Sequence, residues 1–306
     1  MIAKTYETAL KEHLFLESCP DTIVYVNGNY VLKSRAVISV YDSGFQHGDG
    51  VYEGIRAYGD KIFMLEAHLD RLYASLKALN ISFDLSKEEL TQIIKTLVKK
   101  NNDLGFSHIH MRLQVTRGYK AQTGMHTNLN ITPYSLVICA DEKLPIFESH
   151  PLRLVTVYLR RYSPAYLDAK IHSCNQLNQI IAADEALRQG ADEAIMLDER
   201  GFVAETNSTN IQFIKADTLY MPLASYQLPG ITRGLIQTLA PEIGLNVVEK
   251  DCSLTEFYNA DEVFLSGTVG ELASVCEIDG RSIGSGDYPK TRELLELYHK
   301  YIEENF

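Results

Sequence analysis

The chain has 306 residues, of which 45% are hydrophobic and 23% charged, and its net charge is −11. This composition is typical of a globular protein with two domains of about 150 residues each. The acidic balance argues against nucleic acid or an anionic membrane as a main partner. The five cysteines are widely spaced and form no C-x-x-C pair, so they indicate neither a zinc site nor a disulfide framework, and we expect no metal.

The N-terminal residues lack the apolar core of a signal peptide, and no run approaches the ~18 apolar residues of a membrane helix. A cytoplasmic enzyme is therefore the expectation. Residues 141–151 are polar and end at a proline, which is typical of an interdomain linker. We expect a small N-terminal domain over residues 1–140 and a larger C-terminal domain over residues 152–306.

The first elements in the chain predict a sheet. Asn27-Gly28 is a strong signal for a two-residue turn, because both positions tolerate positive φ angles. We expect, in chain order, a hairpin over residues 23–32, a strand over 35–41, an irregular glycine-rich loop over 44–50, and a second hairpin over 51–58 and 61–65.

Two helices follow these strands. From Glu66 the apolar residues recur at helical spacing, which places Arg71 on a helix beside the apolar stripe. Ser86 and Glu89 form the S-x-x-E pattern of a capping box, which predicts a helix to about Lys100.

Residues 108–116 alternate between apolar and polar side chains and predict a strand. His108, His110 and Arg112 lie on its polar face. A strand with a solvated polar face is the simplest interpretation, and a metal site at the two histidines lacks a third ligand. His110 is expected to titrate near neutral pH unless its surroundings shift its pKa.

The second half of the chain carries three features that suggest chemistry. Lys170 precedes a helical segment, and lysine forms Schiff bases with carbonyl cofactors. Glu205 ends an apolar strand, where a carboxylate can keep a pyridine nitrogen protonated. Residues 230–232 are a Gly-Ile-Thr helix start, whose free amides suit phosphate. Taken singly, these features are more typical of a surface lysine, a solvated or interstrand-paired glutamate and an ordinary turn before a helix.

Together, the motifs resemble those of class IV aminotransferases, the fold-type IV family of pyridoxal phosphate enzymes. The likeness runs from about Val24 to Arg292. It implies an α+β fold with a small α/β domain and a larger mixed β domain with helices. It rests on residues 48–56 (GDGVYEGIR), 66–72 (EAHLDRL), Lys170, 175–178 (NQLN), 190–194 (GADEA), 204–205 (AE), 228–233 (LPGITR), 260–264 (ADEVF) and 266–268 (SGT).

The resemblance also implies a site and an assembly. The cofactor is pyridoxal 5′-phosphate, bound to Lys170 as a Schiff base, and the protein is a homodimer or higher homo-oligomer. The cofactor-binding residues are implied to be Arg71, Lys170, Glu205, Asn207, Ile231, Thr232 and Thr268. The substrate-binding residues are implied to be His47, Tyr52, Arg56, His110, Arg112, Thr268 and Val269.

The implied reaction is transfer of an amino group to a 2-oxo acid such as 2-oxoglutarate, with a branched-chain or related L-amino acid as the leading donor. Departures from the branched-chain pattern keep other donors open. His110 and His47 stand where those enzymes carry tyrosine, and residues 206–209 (TNST) replace a glycine-rich turn. The alternatives are an (R)-amine aminotransferase, a D-amino acid aminotransferase, although residues 118–126 lack its arginine, and an aminodeoxychorismate lyase-like enzyme.

Overall fold

The computed structural model describes residues 21–144, 150–223 and 225–306 of the chain. Two compact units make it up, Met1–Leu144 (unit 1) and Pro145–Phe306 (unit 2). Residues 1–20, where the sequence predicts no signal peptide, and residues 145–149 of the expected linker lie outside the described residues. Asp141 and Glu142, expected to begin that linker, are instead the last residues of a strand.

The described part of unit 1 holds one six-stranded sheet in the order β2-β1-β6-β5-β3-β4. All its neighbouring strands pair antiparallel. The strands are β1 (Ile23–Val26), β2 (Asn29–Leu32), β3 (Gly50–Tyr58), β4 (Lys61–Ile62), β5 (His108–Thr116) and β6 (Ser135–Glu142). The helices are α1 (Ser43–His47), α2 (Leu65–Ala78) and α3 (Lys87–Asn102).

The first hairpin and both long helices of unit 1 form where the sequence predicts them, whereas the second hairpin forms with a return strand of Lys61 and Ile62 only, shorter than the predicted residues 61–65. Asn27 and Gly28 adopt φ angles of 44° and 94°, as a tight turn requires. Ser86 caps α3, and Glu89 returns the capping contact. The core lies between the sheet and these helices, because α2 and α3 bury the apolar stripe that their helical spacing creates.

Two local predictions in unit 1 are wrong. Residues 35–41 form no strand: the alternating apolar side chains find no strand partner in the described region, and Val37 is 79% exposed. Residues 44–50 were expected to be irregular, but residues 44–47 belong to α1, which begins at Ser43. Asp42 caps this helix by accepting from the amides of Gly44 and Phe45, and Gly48 ends it at a φ of 67°. A side-chain cap thus outweighs the glycine content.

Unit 2 is built on a mixed sheet of nine strands in its described part, in the order β12-β11-β10-β13-β14-β7-β8-β9, with β15 paired to β14. The strands are β7 (Leu152–Arg160), β8 (Glu193–Leu197), β9 (Val203–Thr206), β10 (Asn210–Lys215), β11 (Thr218–Pro222), β12 (Asn246–Lys250), β13 (Glu262–Gly267), β14 (Glu271–Ile278) and β15 (Arg281–Ser282). The helices are α4 (Leu177–Arg188), α5 (Ile231–Leu239), α6 (Leu254–Tyr258) and α7 (Pro289–Asn305).

The centre of unit 2 is a cluster of buried apolar side chains from strands β7 to β10, β13 and β14, joined by Phe257 of α6. Strands β8 and β9 are buried along their whole length. Such strands read as continuous apolar runs, and a polar residue within them therefore marks a specific partner. The prediction of an α+β fold is confirmed by the helices and sheets of both units.

None of the helices in the described part of the chain is both long and apolar enough to span a membrane.

Candidate functional site

Glu205 belongs to a buried ion pair in unit 2. It lies on β9, opposite Met196 of β8. Arg161, just after β7, places Nε and Nη2 each 2.5 Å from Glu205 Oε1. The Arg161 amide donates to the carbonyl of Leu197 at 2.8 Å, which fixes the base of the side chain. Because a planar guanidinium binds a carboxylate in a defined geometry, the pair holds Glu205 in one orientation.

The second oxygen of Glu205 faces Asn210, the first residue of β10. Asn210 Nδ2 lies 3.2 Å from Glu205 Oε2 and 2.8 Å from Gln227 Oε1. The amide of Leu228 also donates to Glu205 Oε2, at 3.2 Å. A Cβ atom on Gly230 would lie 1.9 Å from Asn210 Oδ1, so the backbone approaches this side chain as closely as only glycine allows. Asn210 therefore joins Glu205 to the turn that precedes α5.

The start of α5 is suited to an anion. Gly230 is its N-cap and makes no side-chain capping bond, so the first amides of the helix, at Ile231 and Thr232, point to its open end. Thr232 Oγ1 is buried and has no hydrogen-bond partner among the described residues. Arg233 anchors the same turn by donating to Pro222 O at 3.1 Å. Free amides and a buried hydroxyl are the groups that bind a phosphate.

A second turn of small residues follows β13. Ser266 pairs with Asn210 across the β10–β13 ladder and accepts a hydrogen bond from Gln212 Nε2 at 3.0 Å. A Cβ atom on Gly267 would lie 3.1 Å from Thr209 Cγ2, so this turn packs against the turn between β9 and β10. Thr268 comes next in the chain. The structure thus brings residues 266–268 to the strand end that carries Asn210.

Lys170 lies in the loop between β7 and α4, and its side chain is 49% exposed. Its backbone amide donates to Asp168 Oδ1 at 3.0 Å, and Nζ lies 3.7 Å from the same oxygen. Asn178, at the start of α4, donates to the carbonyl of Arg160 at 3.2 Å, which ties the segment after Lys170 to the residue before Arg161. The contacts described for Lys170 itself are with Asp168, and none is seen between Lys170 and Glu205 in the described part of the chain.

Asn207, predicted from the resemblance as a cofactor ligand, makes its described contacts with β8. Its Oδ1 accepts from the amide of Ala194 at 2.7 Å, and its own amide donates to Ala194 O at 3.1 Å. These contacts fasten the turn between β9 and β10 to the neighbouring strand.

Four of the predicted substrate residues of unit 1, all except His47, share one face of the β3–β5 ladder. Tyr52 pairs with Gln114, Gly54 with Arg112, and Arg56 with His110. The guanidinium carbon of Arg112 lies 3.7 Å from the centre of the Tyr52 ring, a stacked cation–π contact. Arg56 is fully buried and donates to the carbonyl of Lys143 at 2.9 Å.

The surroundings of His110 shift its pKa away from neutrality, which is the exception that the sequence left open. Burial lowers its pKa to about 4, and the positive charges of Lys143, Arg56 and Arg112 add to this effect, whereas Asp141 opposes it. An imidazole that loses water and faces cations is more stable in its neutral form. His110 is therefore uncharged from pH 6 to pH 8.

Arg71 is held by a buried carboxylate on the core side of β3. Its Nε and Nη2 lie 2.8 and 2.7 Å from the two oxygens of Glu53. His68, one turn earlier on α2, places Nδ1 2.8 Å from Glu53 Oε2. Glu53 and His68 are fully buried, and burial lowers the pKa of His68. These contacts fix the guanidinium plane of Arg71.

His47, the last residue of α1, lies at the surface. Its Nε2 is 3.3 Å from the carbonyl oxygen of Gly124, in the long loop between β5 and β6. The contact joins α1 to this loop.

Arg161 and Asn210 are the site residues that sequence reasoning missed. Arg161 is one of two adjacent arginines at the end of an apolar strand, and Asn210 closes the turn that Glu205 opens. Charged or amide side chains at the ends of buried strands are the signal that could have found them. The described residues contain no group of three or more His, Cys, Asp or Glu side chains that could hold a metal ion.

Comparison with known proteins places these features in context. The family model for amino-transferase class IV matches residues 50–278. Branched-chain-amino-acid aminotransferase-like protein 2 of Arabidopsis thaliana is 43% identical over 92% of this chain and 50% of its own length. The chain thus spans about half the length of that relative.

Two other relatives match along nearly their whole length. A putative branched-chain-amino-acid aminotransferase of Methanocaldococcus jannaschii is 39% identical, over 90% of this chain and 94% of the relative. A D-alanine aminotransferase of Staphylococcus haemolyticus is 32% identical, over 92% of this chain and 98% of the relative. Among solved structures, the branched-chain aminotransferase of the archaeon Thermoproteus uzoniensis with norvaline superposes with a TM-score of 0.84, at 30% identity and over 93% and 96% of the two chains.

Proposed function

Since the chain belongs to the class IV aminotransferase family, we propose that it is a transaminase that moves an amino group from an amino acid to a 2-oxo acid such as 2-oxoglutarate. The family depends on pyridoxal 5′-phosphate, which bears out the cofactor expected from the sequence. The proposal rests on one observation: a buried, oriented carboxylate, Glu205, shares a hydrogen-bond network with the uncapped start of α5.

The residues of unit 2 fit this cofactor. Asn210 and the Leu228 amide each lie 3.2 Å from Glu205 Oε2, farther than Arg161 lies from Oε1, so Oε2 is the oxygen better able to accept a ring N–H. The unpartnered hydroxyl of Thr232 and the amides of Ile231 and Thr232 suit a phosphate in the described part of the site. Thr268 and Asn207 remain proposed contacts. Pyridoxal phosphate supplies an electron sink for charge that develops at the substrate Cα.

In this proposal Lys170 has two roles. Its amino group would hold pyridoxal phosphate covalently and, once released, would move a proton to and from the substrate Cα. Glu205 keeps the ring nitrogen protonated, and Arg161 keeps Glu205 in place.

For the substrate carboxylate we propose Arg112, with Tyr52 stacked on its guanidinium and neutral His110 two residues away on the same strand face. Arg56, Val269 and His47 complete the proposed substrate residues, and Arg71 is a further proposed cofactor-binding residue. A permanently charged guanidinium fits a carboxylate, whereas a simple amine donor offers it no partner.

The proposed donor is a branched-chain or related L-amino acid. The test is a half-reaction with purified holoenzyme: L-leucine, D-alanine or an (R)-amine is added, the cofactor spectrum is followed, and 2-oxoglutarate is then supplied. A spectral change with L-leucine that 2-oxoglutarate reverses supports the proposal. A change with D-alanine alone assigns the chain to the D-amino acid branch, which the 32% identical relative favours.

The lysine is tested by Lys170→Ala, with Lys215→Ala, which alters an exposed ion pair, as the matched control. Reduction with borohydride should attach the cofactor to the parent and to Lys215→Ala, and leave Lys170→Ala unlabelled. A labelled Lys170→Ala variant would contradict the assignment.

We also propose a homodimer and a cytoplasmic location. Three apolar side chains on one face of α4, Leu177, Ile180 and Leu187, are 61 to 73% exposed, and such faces commonly mark interfaces. Sedimentation at nanomolar concentration tests the assembly, and a fully active monomer would refute it. Cell fractionation tests the location.

A further inference from the structure

A second buried carboxylate lies beside the turn that follows Glu205. Glu193 is the first residue of β8, the strand that pairs with β9, and it is only 8% exposed. Its Oε2 accepts from the hydroxyl of Thr206 at 2.7 Å, and its Oε1 accepts from the hydroxyl of Ser208 at 2.5 Å. Burial raises the pKa of Glu193, and these hydroxyl bonds partly offset that rise. A buried carboxylate satisfied by hydroxyls is costly, so its position calls for a reason.

The whole turn over residues 206–209 is fastened to β8 in this way. Besides the two hydroxyl bonds, the side chain and amide of Asn207 bind the backbone of Ala194. Thr206 Oγ1 also accepts from the amide of Thr209 at 2.9 Å and lies 2.8 Å from its hydroxyl. The hydroxyls thus form a chain that leads from Thr209 through Thr206 to the Glu193 carboxylate.

This turn sets the positions of Glu205, which faces the proposed ring nitrogen, and of Asn210, which contacts the turn before α5. Glu205 immediately precedes it, and Asn210 immediately follows it. Thr209 Cγ2 packs against Gly267 of the small-residue turn. A shift of the turn by even part of an ångström would therefore move the carboxylate of Glu205 relative to its partners, and charge-assisted hydrogen bonds weaken steeply as their geometry worsens.

We propose that Glu193 is a positioning residue for Glu205: by accepting the hydroxyl bonds of Thr206 and Ser208, it fixes the turn that orients Glu205 toward the ring nitrogen of pyridoxal phosphate. This inference rests on the proposed function. It adds a residue that touches neither cofactor nor substrate. It also explains how this chain uses hydroxyl side chains where the branched-chain pattern has a glycine-rich turn, since buried hydroxyls need an acceptor and Glu193 supplies it.

The test compares two ligands of the apoenzyme, pyridoxal phosphate and its 1-deaza analogue, in which a C–H group replaces the ring nitrogen. The ratio of their dissociation constants measures the contact between Glu205 and the ring nitrogen, because all other groups of the two ligands are the same. We expect the parent to prefer pyridoxal phosphate and Glu193→Ala to reduce that preference about tenfold, which corresponds to about 1.4 kcal/mol.

Glu193→Gln should retain most of the preference. Its amide oxygen still accepts from Thr206, and the Ser208 hydroxyl can rotate to accept from the new NH₂ group. Ser208→Ala removes one of the two bonds and keeps the carboxylate, so it should give a smaller loss and remains informative if Glu193→Ala does not fold. In a Glu205→Gln background, Glu193→Ala should change the ratio no further.

Glu262→Ala is the matched control. Glu262 is also a buried carboxylate of unit 2, and it accepts from the hydroxyl and amide of Thr291, both at 2.7 Å. It is the first residue of β13, whereas Ser266 lies near the other end of that strand. The substitution should lower stability and leave the ratio unchanged. If the parent binds neither ligand, the proposed function fails. If the parent shows the preference and both Glu193→Ala and Ser208→Ala keep it, or lose affinity for both ligands in parallel, the positioning role is wrong.

Discussion

Replacing Arg161 with methionine tests the buried ion pair on which the site depends. The side chains of Arg161 and Glu205 are 6% and 7% exposed, so neither charge has substantial access to water. Removing one partner from such a pair costs about 3–5 kcal/mol, because the other charge remains buried. The contacts of Asn210 and Leu228 with Glu205 survive and offset part of this cost, so we expect a loss of about 3 kcal/mol in the free energy of unfolding. Methionine preserves most of the packing of the arginine stem.

The assay is urea unfolding of the apoprotein at pH 7 for the parent, Arg161→Met, Glu205→Gln and the double variant. The double variant should be more stable than the sum of the single effects predicts, with a coupling of about 2–3 kcal/mol, since Glu205→Gln removes the charge that Arg161→Met leaves unpaired. Lys215→Met is the control. It breaks an ion pair with Asp261 whose side chains are 53% and 52% exposed, and it should cost less than about 1 kcal/mol.

Two results would refute this reasoning. A loss below about 1 kcal/mol for Arg161→Met would show that the guanidinium does not hold Glu205 in a buried pair. Strict additivity of the two substitutions would show that they act on different parts of the fold. Arg161→Met should also weaken the proposed contact between Glu205 and the ring nitrogen of the cofactor. Without its arginine partner the buried carboxylate is more stable in the protonated form, which cannot keep the ring nitrogen protonated.

Three further outcomes are expected. Gly230→Ala should lower the free energy of unfolding by about 1–3 kcal/mol and weaken binding of pyridoxal phosphate, because the new Cβ would meet Asn210 Oδ1. Gly234→Ala, in open space on the same helix, should leave stability unchanged or raise it, and equal effects of the two substitutions would contradict the close approach at Gly230. Since burial lowers the pKa of His110 from its ordinary 6.5 to about 4, the unfolded chain binds more protons at this residue between those values. The contribution of His110 to the free energy of unfolding should therefore fall by up to about 2 kcal/mol as the pH drops from 6.5 to 4; it is measured in urea as the difference between the parent and His110→Gln, and a difference that does not change with pH would contradict it. Arg112→Ala should raise KM for amino acid donors at least tenfold more than for amines without a carboxylate, and an equal rise for both would show that the strand face is structural.

Much of the fold could be predicted because it depends on local signals. The Asn27-Gly28 turn, the Ser86–Glu89 capping box and the helix start at Gly230 each require particular residues at fixed spacing, and each forms as expected. The strand predicted over residues 35–41 failed because alternation describes one strand only, whereas a strand also needs a neighbour to pair with. The short helix α1 departs from the expectation because the cap that Asp42 supplies outweighs the flexibility of the glycines.

For the candidate site, the sequence indicates which residues to consider but not their partners in the fold. Motif order along the chain indicates Lys170, Glu205 and the start of α5 as candidates, and their roles stay predictions. The partners of these residues were not predictable, because they come from distant positions: Arg161 is 44 residues from Glu205. The pKa of His110 was also beyond reach, since it depends on burial and on the cations that the fold places around the ring.

Buried carboxylates show what the sequence pattern cannot predict, namely which charged residues of a strand are buried and which groups bind them. Glu53, Glu193 and Glu205 all lie on strands, and in a sequence each resembles a charge on a solvated face. Each is instead satisfied by a donor from elsewhere in the chain, separated by 18, 15 and 44 residues respectively. Apolar side chains would fill the same positions without desolvating a charge, and buried ion pairs seldom raise stability over such replacements. Each of the three holds a neighbouring group in place: Glu53 binds Arg71, Glu193 binds the turn after Glu205, and Glu205 binds Asn210 at the turn before α5. A charge in an otherwise apolar strand is thus better interpreted as one half of a contact whose other half the fold supplies.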